Sequence, residues 1–431
     1  MKIPGYKKIF SRLAIVSILL LCNTSRSLAQ HTQLSKQCGA MLVLEQAFEE
    51  NSSLITKFRN QTVDFQRSVE KQMAGLPFSD LPGGAIYVPI VFHIVLTDPN
   101  IITDAQVQAQ LDVLNNDFGG NNSDSVMLPP AFKPLFGKSQ IQFKLAKRTP
   151  DNEPTNGIVR TVTTTPLYGT LDKSLKYSRL GGDDSWDSNR YFNVWITNLA
   201  GGYILGYSTF PGTSPAAEEG VVIHYTTLPA DSLTKFNRGR TLTHEAGHFF
   251  YLYHIWGDEN GCTGTDFVDD TPNQGSLTGG CPGGVIVTDG CSPFTPGVLY
   301  ENYMDYTDDA CMCLFTKGQD ARMETALTTF RPGFLTSNGA EPVTVISNGF
   351  LITPNPATVA ITVQFYPYPS NLKTIVLYNT SGQKIDEQPA RGNGTTRYNF
   401  NISTLPNGVY FVQAIFADKK LVSKVIKQSN F

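Results

Sequence analysis

Charge is scarce in this chain. Only 16% of residues are Asp, Glu, Lys or Arg and the net charge is -3, so no basic face able to hold a polyanion is implied and nucleic acid is excluded as a partner class. Beyond the first thirty residues there is no run of about 18 apolar residues that could cross a bilayer, and no transmembrane anchor is expected. Internal repeats and low-complexity tracts are also absent, which excludes a solenoid or a fibrous array. Histidine is rare, six in 431 residues, and cysteine is close behind at seven. A chain of this length exceeds one ordinary core, so two or three folded units plus processed segments are expected.

The N-terminus is basic at Lys2, Lys7, Lys8 and Arg12, apolar from Leu13 to Cys22, and ends in Ser27-Leu28-Ala29. That order predicts a signal peptide over residues 1–29 with cleavage after Ala29. Leu21 before Cys22 is too large for a lipoprotein site. Export changes how the remaining cysteines are read. Cys38 stands alone, and five cluster between Cys262 and Cys313. In an oxidising compartment such clusters form disulfides, with metal binding by the Cys311/Cys313 pair as the alternative.

Residues 30–85 are polar and helix-prone and read as a pro-segment. A catalytic domain is expected over 86–332, opening on the continuous apolar run Tyr87 to Val95, a buried strand. Thr103 caps a helix whose Val107, Leu111, Leu114 and Phe118 share one face. Strands are expected at Ile141 to Leu145, Tyr191 to Thr197, Ile204 to Phe210 and Gly220 to Tyr225, with a long helix around Leu242 to Leu252. The order predicts an α/β layer, helices against a twisted sheet. Between Gly257 and Thr307 the chain lacks periodicity and needs staples from disulfides or ions. Thr316 and Gln319 form a capping box for a last helix. After a linker, 333–345, short strand-like runs over 346–431 predict a small all-β sandwich.

His244-Glu245-Ala246-Gly247-His248 places two imidazoles one helical turn apart on one face, with Glu245 beside them. A third, His254, is too far along a continuing helix to converge, so the chain must turn back after about Leu252. Three neutral imidazoles leave a fourth position for water, the arrangement of a catalytic zinc. His31, His93 and His224 have no partner at ligand spacing and read as surface or core residues.

His244 to His254 resembles the extended zinc-binding sequence of the metzincins, and Glu301-Asn302-Tyr303-Met304-Asp305-Tyr306 resembles their Met-turn. Ile255-Trp256-Gly257-Asp258, Asp269-Asp270-Thr271-Pro272 and Phe315-Thr316-Lys317-Gly318-Gln319 narrow the resemblance to the pappalysins, over about residues 38 to 330. It implies a zinc endopeptidase with Glu245 as general base, Met304 as an apolar floor, Tyr306 steadying the tetrahedral intermediate, and a substrate edge at Leu205, Gly206 and Tyr207 preceded by Gly201-Gly202. An acidic pocket at Asp308 or Asp309 would suit a basic residue after the cleaved bond.

The same resemblance implies disulfides Cys262 with Cys291 and Cys281 with Cys311, leaving Cys313 unexplained, and a structural calcium near Asp258, Thr263, Asp266, Asp269 and Asp270, whose oxygens suit that hard ion. Cys38-Gly39 is similar to the family's latency element, a thiolate taking the water position on zinc in the precursor. Where the family usually has Gly, this chain has Tyr251, and a Tyr at positive φ predicts a strained or distorted turn. The last 80 or so residues, with Pro354-Asn355-Pro356, Leu405 to Tyr410 and Lys424 to Lys427, resemble the type IX secretion sorting domain, which implies that machinery as a partner and release or surface attachment. The reading from a different class is a calcium-dependent surface adhesin with a non-catalytic zinc site, and Glu245 argues against it, because a structural site needs no base.

Overall fold

The computed structural model of the chain describes residues 37–74, 84–200, 204–230, 235–342, 349–365, 371–391 and 396–428. The expected signal peptide, His31, Gly201-Gly202 and positions 343–345 lie outside them. The chain divides into two units, one of residues 1–151 and 155–341, the other of 152–154 and 342–431.

In the first unit a two-residue strand, β1 (Gln37–Cys38), leads into helices α1 (Ala40–Glu50) and α2 (Ser53–Met73). β2 (Ile86–Leu96) is buried at every position but Tyr87, because both its faces are covered. α3 (Asp104–Phe118) opens on the Thr103–Gln106 capping box and buries Val107, Leu111, Leu114 and Phe118. Then come β3 (Ile141–Leu145), β4 (Ile158–Val162), β5 (Phe192–Thr197), β6 (Ile204–Ser208) and β7 (Val221–His224). They build one sheet in the order β1-β6-β7-β5-β2-β3, with β4 also on β2. β3 pairs with the first half of β2 and β4 with the second; all pairs are parallel except β6 with β7.

α4 (Arg240–Phe249) packs with α3 on one face of the sheet, where Leu111, Leu114, Phe192, Val194, Ile223, Leu242, Ala246 and Phe249 belong to a single core. On the other face Val95, Trp195, Tyr207 and Val222 form a second cluster with Tyr168 and Leu175. The chain then runs through short strands β8 (Gly279–Gly280) and β9 (Tyr306–Thr307) to α5 (Lys317–Phe330) and α6 (Gly333–Thr336). Disulfides Cys262–Cys291 and Cys281–Cys311 staple the aperiodic stretch, the pairing implied by the resemblance. Cys313 is a buried thiol among Leu128, Phe132 and Leu314.

Two expectations need correction. Residues 333–341 are not linker: Phe334 is buried in the main core and the Gly339 carbonyl accepts from the Lys147 N–H at 2.8 Å. The helix expected to reach Leu252 stops at Phe249, and its cap is regularly hydrogen-bonded rather than distorted, while the strain expected of Tyr251 at positive φ stands. Leu252 N–H donates to the Gly247 carbonyl at 2.9 Å and Tyr251 N–H to that of His248 at 2.9 Å, the paired bonds of a Schellman cap, with Tyr251 itself at φ 73°.

The second unit comprises β10 (Phe350–Thr353), β11 (Ala360–Phe365), β12 (Leu372–Asn379), β13 (Lys384–Pro389), β14 (Arg397–Asn401), β15 (Gly408–Phe416) and β16 (Lys420–Lys427). A sheet β10-β11-β14 and a sheet β13-β12-β15-β16, all antiparallel, contribute to one apolar core that includes Phe350, Ile361, Val363, Ile375, Phe400 and Val412.

Candidate metal centre

α4 presents His244 and His248 from successive turns, and the reversal at Tyr251 brings back His254; all three are at most 1% exposed. His254 Nε2 lies 3.2 Å from that of His244 and 3.1 Å from that of His248. Each Nδ1 faces an oxygen: Tyr303 O at 2.6 Å from His244, Leu252 O at 2.8 Å from His248, and Asp258 Oδ1 at 2.5 Å from His254. Carbonyls and an ionised carboxylate only accept, so Nδ1 is assigned the proton and Nε2 turns its lone pair inward. Three lone pairs that close repel one another unless a cation lies between them, and partners on the far nitrogen are what metal-ligating histidines require. The donor set therefore fits a metal.

Asp258 was expected at a calcium site; here it orients His254, whose other face stacks on Trp256 at 4.5 Å and 6°. Nor do the other four expected calcium ligands converge. Asp266 accepts from Thr271 Oγ1 at 2.8 Å, Asp270 from Thr316 Oγ1 at 2.6 Å and the Gly318 N–H at 2.9 Å, Thr263 donates to Glu259 at 3.3 Å, and Asp269 is exposed. Among the described residues the group of His, Cys, Asp and Glu close enough to share an ion is Cys38, His244, His248 and His254, their ligand atoms within 4.8 Å of one another. In this loop Asp258 orients His254 and Asp270 caps the helix α5.

Glu245 is 1% exposed beside the three imidazoles, 3.3 Å from Cys38 Sγ, which donates to its Oε2. Burial first and the Glu245 carboxylate second push the Cys38 thiol well above its ordinary value when no cation is present. Cys38 N–H donates to the Tyr306 hydroxyl at 3.2 Å, and the Tyr306 ring meets those of His254 and Trp256 at 5.0 and 4.9 Å. β1 is hydrogen-bonded to β6 with Cys38 opposite Gly206, so the strand expected to hold substrate is occupied here by residues 37–39. Gly206 has a steric reason: a Cβ there would come 2.9 Å from Glu245 Cγ and 3.0 Å from the Val222 carbonyl.

Met304 is fully buried beneath α4, where a Cβ on Gly247 would sit 2.5 Å from its Sδ. Asn302 and Gln319 exchange amide hydrogen bonds at 2.7 and 3.0 Å, tying the turn to the cap of α5. Behind it Asp117, 3% exposed, accepts from Tyr303 Oη at 2.7 Å and Thr243 Oγ1 at 2.8 Å and lies 3.4 Å from Arg240; burial raises this carboxyl and Arg240 pulls it down. Sequence reasoning missed that network, whose one signal was an Asp beside Phe118 at the end of an apolar helix face. Asp309 is fully buried and accepts from the Arg238 and Arg240 N–H groups, while Asp308 lies 3.8 Å from Lys235, so Asp309 is not the wall of an acidic pocket. His93 is a core residue between Asp183 and Asn193, at 2.6 and 3.0 Å.

The family model described as pregnancy-associated plasma protein-A matches residues 178–328, and that of the secretion system C-terminal sorting domain matches 351–428. An extracellular metalloprotease of Pyricularia oryzae is 36% identical over 258 residues, 58% of this chain and 77% of that protein. One from Verticillium alfalfae is 34% identical over 261 residues, 58% and 80%. Among solved structures, Tannerella forsythia mature mirolysin in complex with a cleaved peptide has 44% identity and TM-score 0.57, covering 61% of this chain and 100% of that one. A promirolysin mutant from the same organism has 40% identity and TM-score 0.62, covering 72% and 100%.

Proposed function

Because this chain belongs to the pappalysin family of extracellular metalloproteases and is a metalloendopeptidase, we propose that its metal is a single zinc ion held by His244, His248 and His254, and that it is made as a latent precursor acting on protein or peptide substrates. The observation that carries this reading is the convergence of three Nε2 atoms on one point beside a buried carboxylate and a thiol.

When bound, zinc would polarise the scissile carbonyl and lower the pKa of its water toward about 7. Glu245 accepts the proton of the attacking water and later passes it to the leaving amine, a transfer its position next to the imidazoles permits. The Tyr306 hydroxyl donates to the oxyanion; in the precursor, burial first and Cys38 second raise this phenol well above its ordinary value. Leu205, Gly206 and Tyr207 in β6 align an extended peptide by main-chain pairing once residues 37–39 have left that edge. Mirolysin, a relative, has been solved with a cleaved peptide, which supports peptide substrates here.

Latency rests on Cys38, whose Sγ reaches the imidazole group while its main chain fills the substrate edge. A structural calcium near Asp258, Thr263, Asp266, Asp269 and Asp270 remains a proposal: Asp258 holds His254 through Oδ1 and keeps a buried Oδ2 without a hydrogen-bond partner among the described residues. The sorting domain sends the enzyme to the exterior or the cell surface, and type IX export is the proposed route.

To test the reading, the full chain is purified, its pro-segment removed, and denatured protein offered with a zinc chelator and after zinc is restored. Cleavage that stops with the chelator and returns with zinc is expected, together with slow cleavage by the uncut precursor that rises in Cys38→Ala. Chelator-resistant cleavage would sink the zinc assignment, and an equally silent Cys38→Ala precursor would sink the thiol's role.

A further inference from the structure

Besides the contacts of α1, such as Glu50 with Lys173 at 2.6 Å, the pro-segment meets the peptidase body at two places of unlike chemistry. Cys38 lies at the metal centre, whereas α2 lies against α5 and the turn at Tyr251. Phe58, Thr62, Phe65 and Val69 recur at helical spacing and are buried on that face. Phe65 meets Tyr251 edge-on at 4.8 Å and Phe330 at 5.1 Å, and Phe58 meets Tyr251 at 5.7 Å. The Tyr251 hydroxyl is 2.9 Å from Thr62 Oγ1 and accepts from Gln61 Nε2 at 3.3 Å.

Beneath them Arg322 is wholly buried. Its Nε donates to the Tyr251 carbonyl and its Nη1 to Gln66 Oε1 of α2, each at 2.8 Å, while Nη2 has no hydrogen-bond partner among the described residues. The guanidinium lies 4.9 to 5.5 Å from the rings of Phe65, Tyr251 and Phe267. Without α2 this face is an aromatic recess around an under-bonded cation, a surface that soluble proteins seldom leave bare.

We propose that this face remains a binding site after activation and that its occupant is α2 of the severed pro-segment, held non-covalently and independently of Cys38 and the metal. The proposal rests on reading residues 30–85 as a removable pro-segment. The contacts of α2 named above come from residues 58–66, so hydrolysis of a bond beyond Ala74 cuts the tether and leaves them in place. Docked through α2, the fragment keeps Cys38 at high local concentration over the cleft, which makes it a reversible inhibitor whose release depends on dilution.

The test uses the full chain carrying Glu245→Ala, with a specific protease site inserted between Ala74 and Ala85. After cutting, the fragment is expected to co-elute with the body on native size exclusion, with or without Cys38→Ala. Phe65→Ala in the fragment, or Phe330→Ala in the body should the first variant not fold, is expected to weaken binding by roughly 100-fold. Loss of co-elution with Cys38→Ala, or wild-type binding by both Phe variants, would overturn the proposal. A Cys38→Ala precursor that stays latent would count against the thiol switch and leave this result untouched.

Discussion

Tyr251 shows how one residue balances opposite terms. Left-handed backbone costs a non-glycine residue about 1–2 kcal/mol, but the side chain is fully buried among Phe58, Phe65, Phe210 and Phe330, and truncating an aromatic of that kind costs about 3–5 kcal/mol. Packing wins, so Tyr251→Gly is expected to destabilise the precursor by roughly 2–3 kcal/mol in urea unfolding. The loss should shrink once the pro-segment is gone, because part of the packing leaves with it. A more stable Tyr251→Gly precursor would mean that backbone strain dominates. Asp266 is a second such case. Burial pushes its carboxyl up to about 7, against hydrogen bonds from Thr271 and the Val268 N–H that favour the charge. A carboxyl raised above its unfolded value of about 3.9 holds more protons folded than unfolded, so its contribution is complete below that value and is lost as pH rises through about 7. Asp266→Asn should flatten the decline in melting temperature between pH 5 and 8. A steeper decline in the variant would contradict the shift, as would a wild-type gain with pH that Asp266→Asn abolishes, the slope expected of a cation-bound carboxylate.

At the scale of elements, α3 was legible in full because cap, face and length agree, and Leu114→Ala, at a position with no exposure, is expected to cost about 2–5 kcal/mol. β2 was equally plain, since a strand covered on both faces needs no alternation. β13 was not, because it is an exposed edge with polar residues such as Lys384, Asp386 and Glu387 and buries no side chain fully. α6 escaped notice because a single turn has no period to detect; Phe334, with Leu335 beside it, anchors it to the core. Gly206 on β6 gives a sharper test of how the elements meet. Gly206→Val should leave a folded, metal-binding chain whose kcat/KM falls by roughly 100-fold, because its Cβ displaces Glu245. Unchanged kcat/KM would show that β6 does not set the position of the base.

For the whole molecule, the three-histidine cluster was readable because a helix fixes His244 and His248 by spacing alone, and His254 then demands a reversal. What was not readable was how the acidic loop uses its side chains: composition put five oxygen-bearing residues near one another, and tertiary contacts sent Asp258 to His254 and Asp270 to the cap of α5. The Asp117 network joining α3, α4 and the Met-turn was hidden for the same reason, since its members are far apart in sequence. The most direct test of the account is zinc content and cleavage of a denatured protein measured side by side for the activated wild type and Glu245→Ala. One zinc per chain in both, with turnover lost in the variant, is the predicted result; wild-type turnover by Glu245→Ala, or zinc-loaded wild type that cleaves nothing, would contradict it.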